Sequence, residues 1–129
     1  MKIRLWLLAA SITMFATLLA HVVGGTTEYL LPSFAMPAPA GWMAVQEVIW
    51  HFISAFLALT SIALGWATFQ SSSQRPLLNF IAAHQVVFAF LFFVYAMIWL
   101  GSPLLLPQWI AFLATLVFLA VDRFQQRRA

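Results

Sequence analysis

Long apolar stretches, separated by short breaks, dominate the pattern of hydrophobic and polar positions along the chain. Four of these stretches are close to the roughly 20 residues with which a helix crosses about 30 Å of hydrocarbon. Glycines, prolines or polar runs lie between them and favour turns. We therefore predict membrane-spanning helices over residues 3–23, 46–69, 77–100 and 104–121, in a single transmembrane domain covering residues 1–129.

The composition supports this class of protein. Six Lys+Arg and three Asp+Glu make the chain only 7% charged, whereas 64% of its residues are hydrophobic. A soluble domain of similar size is about a quarter charged. Soluble enzymes and nucleic-acid-binding proteins are therefore poor candidates, and no nucleic-acid partner is expected. The chain also has no cysteine, which excludes disulfides and thiolate metal sites.

The basic residues predict the orientation of the four spans. With four crossings, both termini and the polar loop after the second span fall on one side of the membrane. All six basic residues lie on that side: Lys2, Arg4, Arg75, Arg123, Arg127 and Arg128. Loops rich in Lys and Arg face the cytoplasm, so both termini are predicted to be cytoplasmic. An unusually apolar outer loop over residues 24–45 is expected to lie against headgroups or a partner.

Small and polar residues recur at helical spacing and predict how the helices pack. In lipid, such residues mark the faces that meet other helices. The second span has the longest stripe, with a packing segment of Ser54, Ala58, Ser61 and Gly65 that continues upward to His51 and Glu47. The first span has a shorter stripe of Ala10, Thr13, Thr17 and His21. We predict an all-α fold, a membrane four-helix bundle with both termini cytoplasmic.

Two histidines and two glutamates are the main candidates for a site near the outer surface. His21 and His51 fall at similar predicted depths on inward-facing stripes, Glu47 precedes His51 by one turn, and Glu28 follows a glycine pair. Imidazole and carboxylate groups together can bind a transition metal. Two histidines can also ligate haem b, and a His–Glu pair can hold a quinone or pass protons. The alternative is a purely structural polar cap in which each histidine hydrogen-bonds to a neighbour.

A second set of polar residues lies deeper in the third predicted span. His84 falls near mid-membrane, beside Gln85 and on the same face as Tyr95. Ionisable groups at this depth are costly, so they invite a functional hypothesis. A neutral histidine packed among aromatic rings is one interpretation, and a proton relay or a second pole of a cavity is the other.

Three short patterns resemble those of a group of small, uncharacterised bacterial four-span membrane proteins. They are His21-x-x-Gly24-Gly25-x-x-Glu28, Trp50-His51, and Leu106-Pro107-Gln108-Trp109. The resemblance implies a bacterial inner-membrane setting and no known activity. It also implies that His21, Glu28 and His51 are shared polar positions.

The sequence favours a small integral membrane subunit or accessory protein of a larger assembly, with a polar His/Glu ligand site near the extracytoplasmic face. Its partners would be the lipid bilayer and either other membrane chains or further copies of itself. A haem-, metal- or quinone-binding redox protein using His21 and His51 is the alternative, and a small dimeric transporter is a further one. An enzyme is less favoured, because no nucleophile motif or phosphate-binding loop accompanies the acid–base candidates.

Overall fold

The structure is a computed structural model that describes residues 3–70 and 74–128, and within these ranges it is all-α. The predicted fold class is confirmed to that extent. The elements, in chain order, are α1 (Leu5–Leu19), a π-helix (Ala20–Leu30), α2 (Leu31–Phe34), α3 (Ala40–Thr68), α4 (Arg75–Leu100), a 3₁₀ turn (Pro103–Leu105) and α5 (Gln108–Arg128).

The first long helix does not end at its glycine pair. The chain passes from α1 into the π-helix and α2, and only residues 35–39 separate α2 from α3. The outer loop predicted over 24–45 is therefore wrong in its bounds. Glycine weakens a helix in water, but unpaired backbone groups are far more costly in apolar surroundings. Wider π-type turns keep these groups bonded until Pro37 and Pro39 end the helical run.

Helix α1 lies between α3 and α5. It packs against α3 on one side and α5 on the other, and α4 packs against α5. Aromatic side chains join α3 to α4, because the Phe56 ring lies 5.3 Å from His84 and 5.2 Å from Phe88. The apolar core consists of Leu7, Ala10, Met14, Leu57, Leu64, Ala67, Ile81, Ala89, Phe112 and Leu119.

Large apolar side chains cover the outside of the bundle. Phe52, Ile62 and Ile98 are each about two-thirds exposed, and many others are similar. Soluble monomers rarely expose continuous apolar surface on this scale. Within residues 3–70 and 74–128, three helices are long and apolar enough to cross a membrane: Leu5–Phe34, Ala40–Thr68 and Arg75–Leu100. Helix α5 is not among these three, since it begins at Gln108 instead of Leu104 and ends in charged residues.

The two halves of α3 differ in how closely they pack. The end with Arg4, Arg75, Asp122 and Arg123 is called the basic end here. In α3, the buried residues all lie in the half nearer that end, beginning at Leu57. No residue between Ala40 and Phe56 is buried. Helix α3 is therefore closely packed towards the basic end and more open at the opposite end.

Candidate functional site

His21 and Trp50 form the best-defined contact at the opposite end of the bundle. The imidazole and indole rings stack with centroids 4.0 Å apart, and His21 Nε2 lies 3.3 Å from the Trp50 carbonyl oxygen. A carbonyl can only accept, so this bond requires a proton on Nε2, and in the neutral ring Nδ1 is then an acceptor. The same carbonyl accepts a bond from the Ser54 hydroxyl at 3.0 Å.

The π-helix places a glycine directly against the same tryptophan. A Cβ atom at Gly25 would lie 2.7 Å from Trp50 Cη2, closer than side-chain atoms normally approach. Gly25 therefore makes room for the indole ring that His21 stacks upon. π-helical turns are frequent at functional sites, and here the π-helix brings His21 and Gly25 to one ring.

The other three predicted site residues do not join His21. Glu28, Glu47 and His51 all have exposed side chains. Residues 3–70 and 74–128 contain no group of three or more His, Cys, Asp or Glu side chains placed to hold a metal ion. Trp50, rather than His51, is the α3 residue that meets His21. A ligand-binding role for these residues stays a prediction.

The exposed positions of Glu47 and His51 have a physical cost in a membrane. Helix α3 has 29 residues, so it is about 43 Å long and exceeds a hydrocarbon layer of about 30 Å. If the helix is centred in that layer, His51 lies roughly 10 Å inside it and Glu47 roughly 4 Å inside. Both side chains would then face acyl chains, which solvate polar and charged groups poorly.

Two amide oxygens at the same end are buried without a hydrogen-bond partner. Gln46 in α3 and Gln108 at the start of α5 each have such an Oε1 atom. Buried polar atoms in folded proteins are nearly always bonded. Together with the exposed Glu47 and His51, they indicate that the polar groups at this end are incompletely satisfied within the described residues of one chain.

The deeper polar residues have three different environments. His84 Nδ1 donates to the Phe80 carbonyl oxygen at 3.0 Å, and its ring lies against Phe80 and Phe56. Gln85 is completely buried, and neither of its amide atoms has a partner among the described residues. Tyr95 is about half exposed. His84 thus lies among aromatic rings, in the arrangement described by the first of the two interpretations given above.

The predicted packing stripe of α3 faces α1 in the half of α3 nearer the basic end. Ser61 Oγ donates to the Ser11 carbonyl oxygen at 3.0 Å, and Ser11 Oγ donates to the Ser61 carbonyl oxygen at 2.8 Å. A Cβ atom at Gly65 would lie only 3.1 Å from Ser11 Oγ. Farther from the basic end, Ser54 and Ala58 are half-buried. Ser11 was not singled out in the sequence, where Thr13 and Thr17 were expected instead.

Thr13 and Thr17 satisfy their hydroxyl groups within α1. Each donates to the carbonyl oxygen four residues earlier, at 2.9 Å and 2.8 Å. Such bonds are common for threonine in helices. With their hydroxyl groups bonded inside α1, these two residues make no polar contact with α3 in the described structure.

An ion pair at the basic end was also missed from the sequence. Arg4 Nε donates to Asp122 Oδ1 at 3.2 Å, and its Nη2 donates to Oδ2. Only 13% of the Arg4 side chain and 4% of the Asp122 side chain are exposed. The available signal was a lone acidic residue, Asp122, at the end of the last apolar stretch, with the basic Arg4 at the start of the first.

Comparison with known proteins gave no match to a family model, to a curated protein or to a solved structure. The class of molecule is defined by the described geometry alone: it is a helical bundle with three helices long and apolar enough to cross a membrane. The resemblance to uncharacterised bacterial four-span proteins stays a prediction.

Proposed function

We propose that this protein is a small integral membrane subunit that packs against another membrane chain through the opposite-end half of α3. The observation that carries the proposal is the exposed pair Glu47 and His51 on a membrane-spanning helix. These residues lie one turn apart on one face. A second chain that covers them with polar groups would remove the cost of exposing them to lipid.

The open packing at the same end supports the proposal. No residue of the stretch Ala40–Phe56 is buried as a whole. Two single atoms at this end, the amide oxygens of Gln46 and Gln108, are nevertheless buried and lack partners in the described chain. Helices in membranes associate through close packing and polar contacts of this kind. A transmembrane partner can supply both. The polar His/Glu site expected from the sequence would then be shared between the two chains.

The proposal includes four crossings, with both termini in the cytoplasm of a bacterium and the chain in its inner membrane. Helix α5 is antiparallel to α1 and level with it, since Arg4 pairs with Asp122 and the Trp6 ring lies 5.9 Å from that of Phe118. A helix packed in this way along α1 crosses the layer that α1 crosses. Basic residues at the ends of α1, α4 and α5 favour the cytoplasmic side for that end.

The redox and transporter alternatives have less support. Both histidines of the redox alternative would need to face one ligand, but His21 stacks on Trp50 and His51 is exposed. A transporter usually has a charged residue near mid-membrane. Two histidines lie near that depth, but His84 is packed against Phe80 and Phe56, and His51 is exposed on the outside of the bundle.

Photocrosslinking in the native membrane tests the proposed partner surface. A benzoylphenylalanine at position 51 should crosslink to a second protein chain, because this face is expected to be covered. The same probe at Ile49, an exposed residue on the far side of α3 at nearly equal depth, should react with lipid. We expect at least about fivefold more protein adduct from position 51, which corresponds to about 1 kcal/mol.

Mass spectrometry of the adduct identifies the crosslinked chain as a second copy or as a different membrane protein, and either result supports the proposal. Equal crosslinking from positions 51 and 49 would mean that the polar face has no preferred partner. Reaction of both probes with lipid alone would also refute a membrane-subunit role based on this face.

A further inference from the structure

A cavity of about 410 Å³ opens at the basic end of the bundle. It lies between the start of α4 and the last turns of α5, and Arg4, the residue before α1, lines one side. This volume falls within the usual range for small-molecule sites. The partner surface proposed above lies at the other end of the molecule, so the two features are independent.

The cavity has a strong excess of positive charge. Arg4, Arg75, Arg123 and Arg127 line it, and Asp122 is the only acidic residue among its described lining residues. The Asp122 carboxylate is already occupied by two bonds from Arg4. Three guanidinium groups therefore remain without a carboxylate partner in the described part of the chain.

Hydrogen bonds hold two of the four lining arginines in place. Arg123 Nη1 donates to Asn79 Oδ1 at 3.2 Å, which fixes its guanidinium between α5 and α4. Arg4 is fixed by its bonds to Asp122. An arginine keeps several N–H donors after such a bond and can still bind a phosphate group through two of them.

The deeper part of the cavity is apolar. Leu78 and Ala82 of α4 and Leu116 and Leu119 of α5 line it below the arginines. Ala82 is about 10 Å along α4 from Arg75, measured at 1.5 Å per residue. A charged rim above an apolar floor at the membrane surface matches a molecule with an anionic head and hydrocarbon chains.

We propose that this cavity binds the phosphate group of an anionic phospholipid. Arg75, Arg123 and Arg127 contact the phosphate, and the upper acyl segments lie against Leu78, Ala82 and Leu116. A free phosphate shares the charge chemistry but has no use for the apolar floor. The site is distinct from general attraction to a membrane surface because it depends on particular arginines.

Native mass spectrometry of the full chain, purified in detergent and titrated with defined lipids, tests the site. Phosphatidylglycerol should be retained about tenfold more tightly than phosphatidylcholine, which has the same phosphate and chains but no net charge. Arg127→Ala should weaken phosphatidylglycerol binding about fivefold. Arg128→Ala is the matched control, because Arg128 lies over the Phe124 ring at 4.0 Å and does not line the cavity.

A second variant guards against an accidental effect at one position. Arg123→Ala, at an exposed residue, should reduce phosphatidylglycerol binding by a similar factor. Equal losses in Arg127→Ala and Arg128→Ala would reduce the effect to diffuse surface charge and overturn the proposal. Displacement of the lipid by an equal concentration of inorganic phosphate would assign the cavity to a free phosphate and would also overturn it.

Discussion

Asp122→Ala is expected to destabilise the folded protein by about 3 kcal/mol, because it leaves the Arg4 guanidinium in a largely buried position without its counter-charge. The ion pair joins the start of α1 to the last turns of α5, so its loss should loosen the contact between these helices. Denaturant titration of the purified protein in detergent, followed by circular dichroism, measures the change in unfolding free energy.

A charge exchange provides the control for this prediction. The double variant Arg4→Asp with Asp122→Arg keeps one charge of each sign at the same two positions, so it should recover part of the lost stability. Arg123→Ala removes a neighbouring exposed charge and should change stability by less than about 0.5 kcal/mol. An Asp122→Ala protein as stable as the unmodified chain would show that the ion pair does not support the bundle.

Gly65→Leu is expected to cost about as much, roughly 3 kcal/mol. A Cβ atom at this position would already lie 3.1 Å from Ser11 Oγ, and the remaining carbons of leucine would push α1 away from α3. Overpacking alone commonly costs about 1–3 kcal/mol. The separation would also weaken the two reciprocal serine bonds, each of which contributes about 0.6 kcal/mol in membrane proteins.

Gly41→Leu is a matched control on the same helix. Nothing lies within 4 Å of a Cβ atom at Gly41, so the same substitution there should leave the bundle intact. Denaturant titration in detergent again gives the unfolding free energy. Equal behaviour of the two leucine variants would mean that α1 and α3 do not approach closely at Gly65.

Helical periodicity correctly predicted which α3 residues face α1 in the half of α3 nearer the basic end, where the two helices pack closely. Ser61 and Gly65 were on the predicted stripe, and both face Ser11. The period of an α-helix indicates which residues share a face, but not how far along the helix a neighbour extends. This is why Glu47 and His51 continue the same stripe and yet are exposed, since that face of α3 has no closely packed neighbour in the described chain.

The contact of His21 with Trp50 was harder to predict than a contact with His51. Residues 50 and 51 are both within one turn of Ser54, so spacing alone does not decide between them. The choice depends on space, because Gly25 leaves room for an indole ring against the first helix. That space exists only because the chain continues as a π-helix past its glycine pair, whereas glycine pairs usually indicate a turn.

The bounds of a helix were predicted closely where the sequence signals both of its ends. The third predicted span, 77–100, matches α4 from Arg75 to Leu100 within a few residues. The fourth, 104–121, differs more, because Pro103 and Pro107 delay α5 until Gln108 and the helix continues past the apolar stretch to Arg128. The sequence placed Gln85 within a span but did not predict that it is completely buried, because burial depends on neighbours that are distant in sequence.

The most direct test of the whole account is the topology of the chain in bacterial cells. The chain contains no cysteine, so single cysteines at Ala35, Leu105 and Gln125 can be labelled one at a time with a membrane-impermeant maleimide. We expect labelling of Ala35→Cys and Leu105→Cys in intact spheroplasts, and labelling of Gln125→Cys only after the membrane is opened. Labelling of Gln125→Cys from outside would contradict four crossings with a cytoplasmic basic end.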